Sequence, residues 1–145
     1  MNRLVLLAGS LAIVVVSFFV YGSIGSSVAS SALKYPDSTR AADAALIKEA
    51  LEKYKKAHGA YPAPFPSNPI ADLKPALVDG GYLKKIPQDP VVPDNYYYTS
   101  SGNNYGILIR QLKYAAGKVP AGGQCMTGVG IGGTGWWGQP PECPF

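Results

Sequence analysis

The sequence predicts an α+β protein. An N-terminal transmembrane helix continues into an amphipathic helix packed on a small antiparallel β-sheet, and a disulfide-closed loop ends the chain. Three observations predict this. From Leu4 to Val20 no charge interrupts LVLLAGSLAIVVVSFFV. Between Thr39 and His58 apolar side chains recur at helical spacing. Beyond Asn95 two β-prone runs, rich in Tyr and Ile, flank a polar turn cluster. The chain of 145 residues accordingly divides into an anchor, 1–33, and one small globular domain, 34–145.

The anchor rests on length and charge. The uninterrupted apolar run rises about 25 Å as a helix, and the milder tail to Leu33 completes a bilayer span. Arg3 is the only charged side chain before Lys34. The positive-inside rule then keeps the N-terminus cytoplasmic and exports the rest. A cleavable signal peptide is the rival reading, because Ser27-Val28-Ala29 resembles a small-residue cleavage site.

The elements of the exported part follow in order. Pro36-Asp37-Ser38 reads as a break followed by a helix cap, and the helix runs from Thr39 to His58. Ile47, Ala50, Leu51 and Tyr54 lay one apolar stripe along it. Glu49 with Lys53, and Glu52 with Lys56, are i,i+4 pairs on the wet side. Gly59 is placed for a left-handed C-cap, and Tyr61-Pro62 prevents continuation. Pro62 to Pro69 reads as loop, Pro75 to Asp79 as a helical turn ended by Gly80-Gly81, Tyr82 to Pro87 as a short extended piece, and Gln88 to Asn95 as loop again. Tyr96–Thr99 and Tyr105–Leu112 form a hairpin around Ser100–Asn104, with Lys113-Tyr114-Ala115 extending the second strand. From Gly117 to Phe145, Gly and Pro dominate, and only the cysteines and Val129–Ile131 suggest order.

Composition narrows the function. The net charge of +4 is mild, and Lys and Arg are interspersed with acids. They read as solvated faces, and no nucleic-acid partner is expected. Cys125 and Cys143 are the only cysteines, and in an exported domain they read as a disulfide, which a small core needs. His58 is the only histidine, and a helix-end dipole or cap contact accounts for it. No cofactor or metal is expected, since these residues do not make up a ligand set. Asp89 and Asp94 bracket a proline loop without a nucleophile or histidine beside them, so turn capping is the expectation and no catalytic residue is assigned. The Gly run lacks the Lys-Ser/Thr ending of a phosphate loop.

Two segments carry candidate protein contacts. Trp136 and Trp137 lie inside the Cys125–Cys143 loop; they read either as a partner-contact patch or as a cover for the sheet. Tyr96, Tyr97 and Tyr98 alternate across a strand, which leaves Tyr97 on the face available to a partner.

The segments RAADAALIKEALEKYKKAHGAYP (40–62), GGYLKKIPQDP (80–90) and YYYTSSGNNYGILIRQL (96–112), in that order, resemble the type IV pilin and type II secretion pseudopilin family. The resemblance implies a single-pass protein of a bacterial inner membrane, with a periplasmic or extracellular head and partners in the lipid bilayer and in other protein subunits. It implies a non-enzymatic structural subunit of a pilus-like or secretion-like assembly. The alternative is a single-span accessory subunit of an inner-membrane complex. The chain departs from the family at two points. It lacks the prepilin peptidase site and has no acid before Asp37, where the family carries a carboxylate near the mature N-terminus. After Asp94 it has one acid, Glu142, which is too few for the calcium loop of major pseudopilins.

Overall fold

The computed structural model describes residues 33–63, 67–132 and 136–145. One long helix, α1 (Asp37–His58), is followed by a sheet of four antiparallel strands: β1 (Asn68–Pro69), β2 (Tyr96–Ser100), β3 (Tyr105–Ile109) and β4 (Cys125–Val129). The strands lie side by side in chain order. The α+β architecture with a helix on an antiparallel sheet is therefore as the sequence predicts. Among the described residues no helix is long and apolar enough to cross a membrane. The anchor expected over 1–33 lies outside the described residues except for Leu33.

Helix α1 buries the predicted stripe. Ile47, Ala50 and Leu51 are fully enclosed, and Tyr54 packs at the margin of the same core. Burying such side chains is worth about 1.5–3 kcal/mol each for the large ones, which holds the helix where its isolated propensity would not. The Glu49–Lys53 pair forms at 2.7 Å. Glu52 instead accepts a hydrogen bond from the Tyr61 hydroxyl at 2.7 Å. At the C-terminus Gly59 adopts φ +81°, and its N–H donates to the Lys55 carbonyl at 2.7 Å, the predicted left-handed cap. The N-terminus differs from expectation. The helix starts at Asp37, Pro36 holds the cap position, and no side chain caps it. Asp37 serves a longer-range purpose described below.

The loop assigned to 62–69 ends in β1, where Asn68 pairs with Tyr98 and Pro69 with Tyr97. Proline is tolerated because this is the edge of the sheet, where an N–H is dispensable. Helical turns follow at once, a 3₁₀ turn over Ile70–Leu73 and a π-type turn over Lys74–Val78, so helical structure begins well before Pro75. Pro75 falls in the opening turn of the second, where its missing N–H costs little. The Tyr82–Pro87 piece pairs with no strand. The N–H groups of Tyr82 and Leu83 both donate to the Leu77 carbonyl at 2.8 Å, and Tyr82, Leu83 and Ile86 pack on the core.

The hairpin of β2 and β3 forms around residues 101–104, with Tyr96 opposite Ile109 and Ser100 opposite Tyr105. Two expectations fail beyond it. Residues 113–115 do not extend β3, and residues 125–129 are an ordered strand paired along β3, with Tyr105 opposite Val129 and Ile109 opposite Cys125. CMTGV has no alternation or β-branched run to announce a strand. Its pairing follows from the Ile-rich neighbour and from Cys125, which joins Cys143 in the predicted disulfide. Beyond β4 the tail returns alongside it, where the Met126 N–H donates to the Pro141 carbonyl and the Cys143 N–H donates to the Met126 carbonyl, both at 2.9 Å.

Register divides the sheet into two faces. Tyr96, Tyr98, Tyr105, Ile107, Ile109 and Cys125 belong to the core shared with α1. Their neighbours along the strands, Tyr97, Thr99, Gly106, Leu108, Met126 and Gly128, form the outer face.

Candidate functional site

The predicted contact residues meet on the outer face. Trp136 and Trp137 lie over Gly106: a Cβ built there would stand 3.0 Å from Trp137 Cζ3 and 3.1 Å from Trp136 Cε3 and Met126 Sδ. The two indoles meet edge to face at 6.5 Å, and Trp137 Nε1 donates to Ser67 Oγ at 2.7 Å. Both rings are half-buried, so they cover the sheet and still present a surface. Trp137 holds φ +52°, a left-handed backbone that a bulky residue rarely adopts. Tyr97 is half-buried on the same face, opposite Leu108, with the Arg110 guanidinium 5.4 Å from its ring. A side chain at 106 would press on both tryptophans. Gly106→Val is expected to destabilise the head by about 1–3 kcal/mol and to red-shift tryptophan emission as the indoles are displaced. Urea unfolding monitored by that emission checks both.

The start of α1 is organised by buried charge. Arg40 is 2% exposed. Its Nε and Nη2 donate to the two carboxylate oxygens of Asp89 at 2.6 and 3.0 Å, and its Nη1 donates to Asp37 Oδ1 at 2.6 Å. Asp89 also accepts the N–H groups of Val91 and Val92 at 2.9 and 2.8 Å, which is the predicted turn capping. Asn95 Nδ2 completes its shell at 2.6 Å. Burial pushes the Asp89 carboxyl up, but the bonds from Arg40, Val92, Val91 and Asn95 outweigh it and hold it at about 2. Asp37 accepts the N–H groups of Lys113 and Tyr114, both at 2.9 Å. Those two bonds turn the chain away from β3. One ionic cluster thus ties the helix start to the 89–95 loop and to the segment between β3 and β4.

Two buried tyrosines, Tyr96 and Tyr61, are anchored to helix carboxylates. Tyr96 donates to Asp43 Oδ2 at 2.8 Å. Burial raises the Asp43 carboxyl, against the lowering effect of that hydrogen bond. The Tyr61 hydroxyl is pushed up to about 12 by burial and by its bond to Glu52. His58 stacks on Tyr54 at 4.0 Å with Nδ1 3.0 Å from the Tyr54 carbonyl, a helix-end contact as expected.

Two grooves flank the 84–88 ridge. One, of 720 Å³, runs between Ile70, Lys74, Pro93 and Tyr96; the other, of 810 Å³, lies against Asp43, Leu46 and Glu49 of α1. Among the described residues no cluster of three or more His, Cys, Asp or Glu side chains could hold a metal ion.

Reasoning from the sequence missed Arg40, Asp37 and Asn95. The signal was present for Arg40, because residues 40, 44, 47 and 51 share one helix face, three of them apolar. A cation on that stripe requires buried acidic partners. The partners themselves lie 49 residues away in the case of Asp89, beyond any local pattern.

The fold and these surfaces define a helix-on-sheet domain in which, among the described residues, every buried side-chain polar atom has a hydrogen-bond partner. Comparison with protein-family models, with curated proteins and with solved structures finds no match to the chain.

Proposed function

We propose that this protein is a non-enzymatic structural subunit of the pilin or pseudopilin type, held in a bacterial inner membrane by its N-terminal apolar helix, with the head displayed in the periplasm or outside the cell. The observation that carries the reading is the order of parts. A charge-free run precedes α1, one stripe of α1 is covered by an antiparallel sheet, and a disulfide-closed segment lies beside the last strand. The half-buried Trp136, Trp137 and Tyr97 supply a rigid aromatic surface for a neighbouring subunit.

The absence of any acid before Asp37 favours a second reading, an accessory subunit of a fixed inner-membrane complex. In a filament the processed N-terminal amine needs a carboxylate partner, and this chain does not carry one there. Intact mass and N-terminal sequencing of protein from its native membrane, together with sedimentation of sheared material, separate the two. A chain trimmed within the apolar run, sedimenting as polymer, is the expected result for the first reading. A chain that keeps Met1 and comigrates with partners in fixed ratio overturns it in favour of the second. A chain cleaved after the apolar run and released as monomer overturns both.

A further inference from the structure

The end of the head from which the apolar run departs carries a distinctive set of exposed side chains. Lys34 and Tyr35 precede α1, and Tyr35 is 62% exposed. Lys113 and Tyr114 are fixed beside them by the two backbone bonds to Asp37. Lys34 Nζ stands 5.6 Å and Lys113 Nζ 5.4 Å from the centroid of the same Tyr114 ring. Tyr114 is itself 38% exposed, although large aromatic side chains on this domain are otherwise mostly covered. Arg110 and Lys118, in the adjoining segments, are exposed as well. Two of the acids at this end are withdrawn. The side chains of Asp37 and Asp89 are buried and engaged by Arg40, while Asp94, beside the start of β2, and Glu142, bridged to Met126 of β4, are exposed.

Two cations converging on one exposed tyrosine, next to a second exposed tyrosine, match the chemistry of a bilayer interface. Tyrosine rings settle at the headgroup level, and lysines there gain from anionic phospholipid within about one Debye length, roughly 8–10 Å. The position agrees, since Lys34 is the first charge after the apolar run. We propose that Lys34, Tyr35, Lys113 and Tyr114 form a platform that seats the head on the surface of an anionic bilayer. It would set the angle at which α1 leaves the membrane, because Asp37 couples the platform to the first turn of that helix. This rests on the membrane-anchored reading of the N-terminal run.

The test uses the full chain reconstituted in vesicles containing a gadolinium-chelating headgroup lipid. One set is phosphatidylcholine; the other is equal parts phosphatidylcholine and phosphatidylglycerol. The hairpin tip serves as the internal reference. Tyr61 N–H donates to the Gly102 carbonyl just past the far end of α1, so Gly102 stands about 33 Å along the helix from Asp37. The expected result is severalfold stronger relaxation enhancement at the Tyr35 and Tyr114 rings than at Gly102. It should be larger in the anionic vesicles, and Lys34→Glu with Lys113→Glu should bring it down to the level seen in phosphatidylcholine. Equal enhancement at Tyr114 and Gly102, or an enhancement indifferent to lipid charge and to the double substitution, overturns the platform while leaving the anchor in place. Loss of the chain from the vesicles on alkaline washing overturns the anchor, and the platform with it.

Discussion

Arg40→Leu is expected to destabilise the head by about 3–5 kcal/mol, the largest effect of any single substitution outside the apolar core. The size follows from what remains. Asp37 is 1% exposed and the Asp89 side chain fully enclosed, and the substitution leaves both without their cation. Backbone N–H groups continue to hold each carboxylate, so the loss is an unpaired charge and not a cavity. Thermal or urea unfolding of the purified chain measures it. A change below about 1 kcal/mol would mean that the cluster is solvated and contributes as weakly as a surface pair. The same cluster sets an acid dependence. Asp89 is held at about 2, below the ordinary carboxylate value of about 4. A depressed folded-state value contributes stability that is present above the unfolded value and lost as pH falls through the folded one. Stability is therefore expected to decline between about pH 4 and pH 2 in the parent protein, and to decline less in Arg40→Leu, where the depression is relieved.

Removing the disulfide as Cys125→Ala with Cys143→Ala is expected to cost about 3 kcal/mol, from the unfolded-chain entropy of a loop of this size. The bond spans 18 residues and holds the tail against β4 at Met126. Its loss also frees the segment carrying Trp136 and Trp137 from one end. The unfolding midpoint and the tryptophan emission are expected to shift together. A lowered midpoint with unchanged emission would show that Trp137, through Ser67 and Gly106, holds the cover in place without the bond. An unchanged midpoint would contradict the stabilising role assigned to the pairing.

The legibility of this fold varies with the range of the interactions that determine each part. The stripe of α1, the Gly59 cap and the β2–β3 hairpin depend on residues within a few positions of one another, and periodicity and turn chemistry state them directly. The β4 strand was illegible because CMTGV has little strand character of its own; it is a strand because β3 offers it a partner. β1 was hidden by Pro69, which only an edge position permits. The helix start was misplaced because Asp37 is committed to Arg40 and to amides 76 and 77 residues onward.

Of the candidate contacts, Trp136, Trp137 and Tyr97 were visible as residue types, but their meeting on one face follows from register and from the room left by Gly106. The amphipathic helix, the hairpin, the cysteine pair and the charge-free run are legible in the amino-acid order, since each is a matter of local pattern or of counting. Which charges are buried, which strand closes the sheet and which aromatic rings stay exposed emerge from the packed fold. Those outcomes depend on desolvation and on hydrogen-bond partners brought together from distant parts of the chain, and no local pattern encodes them.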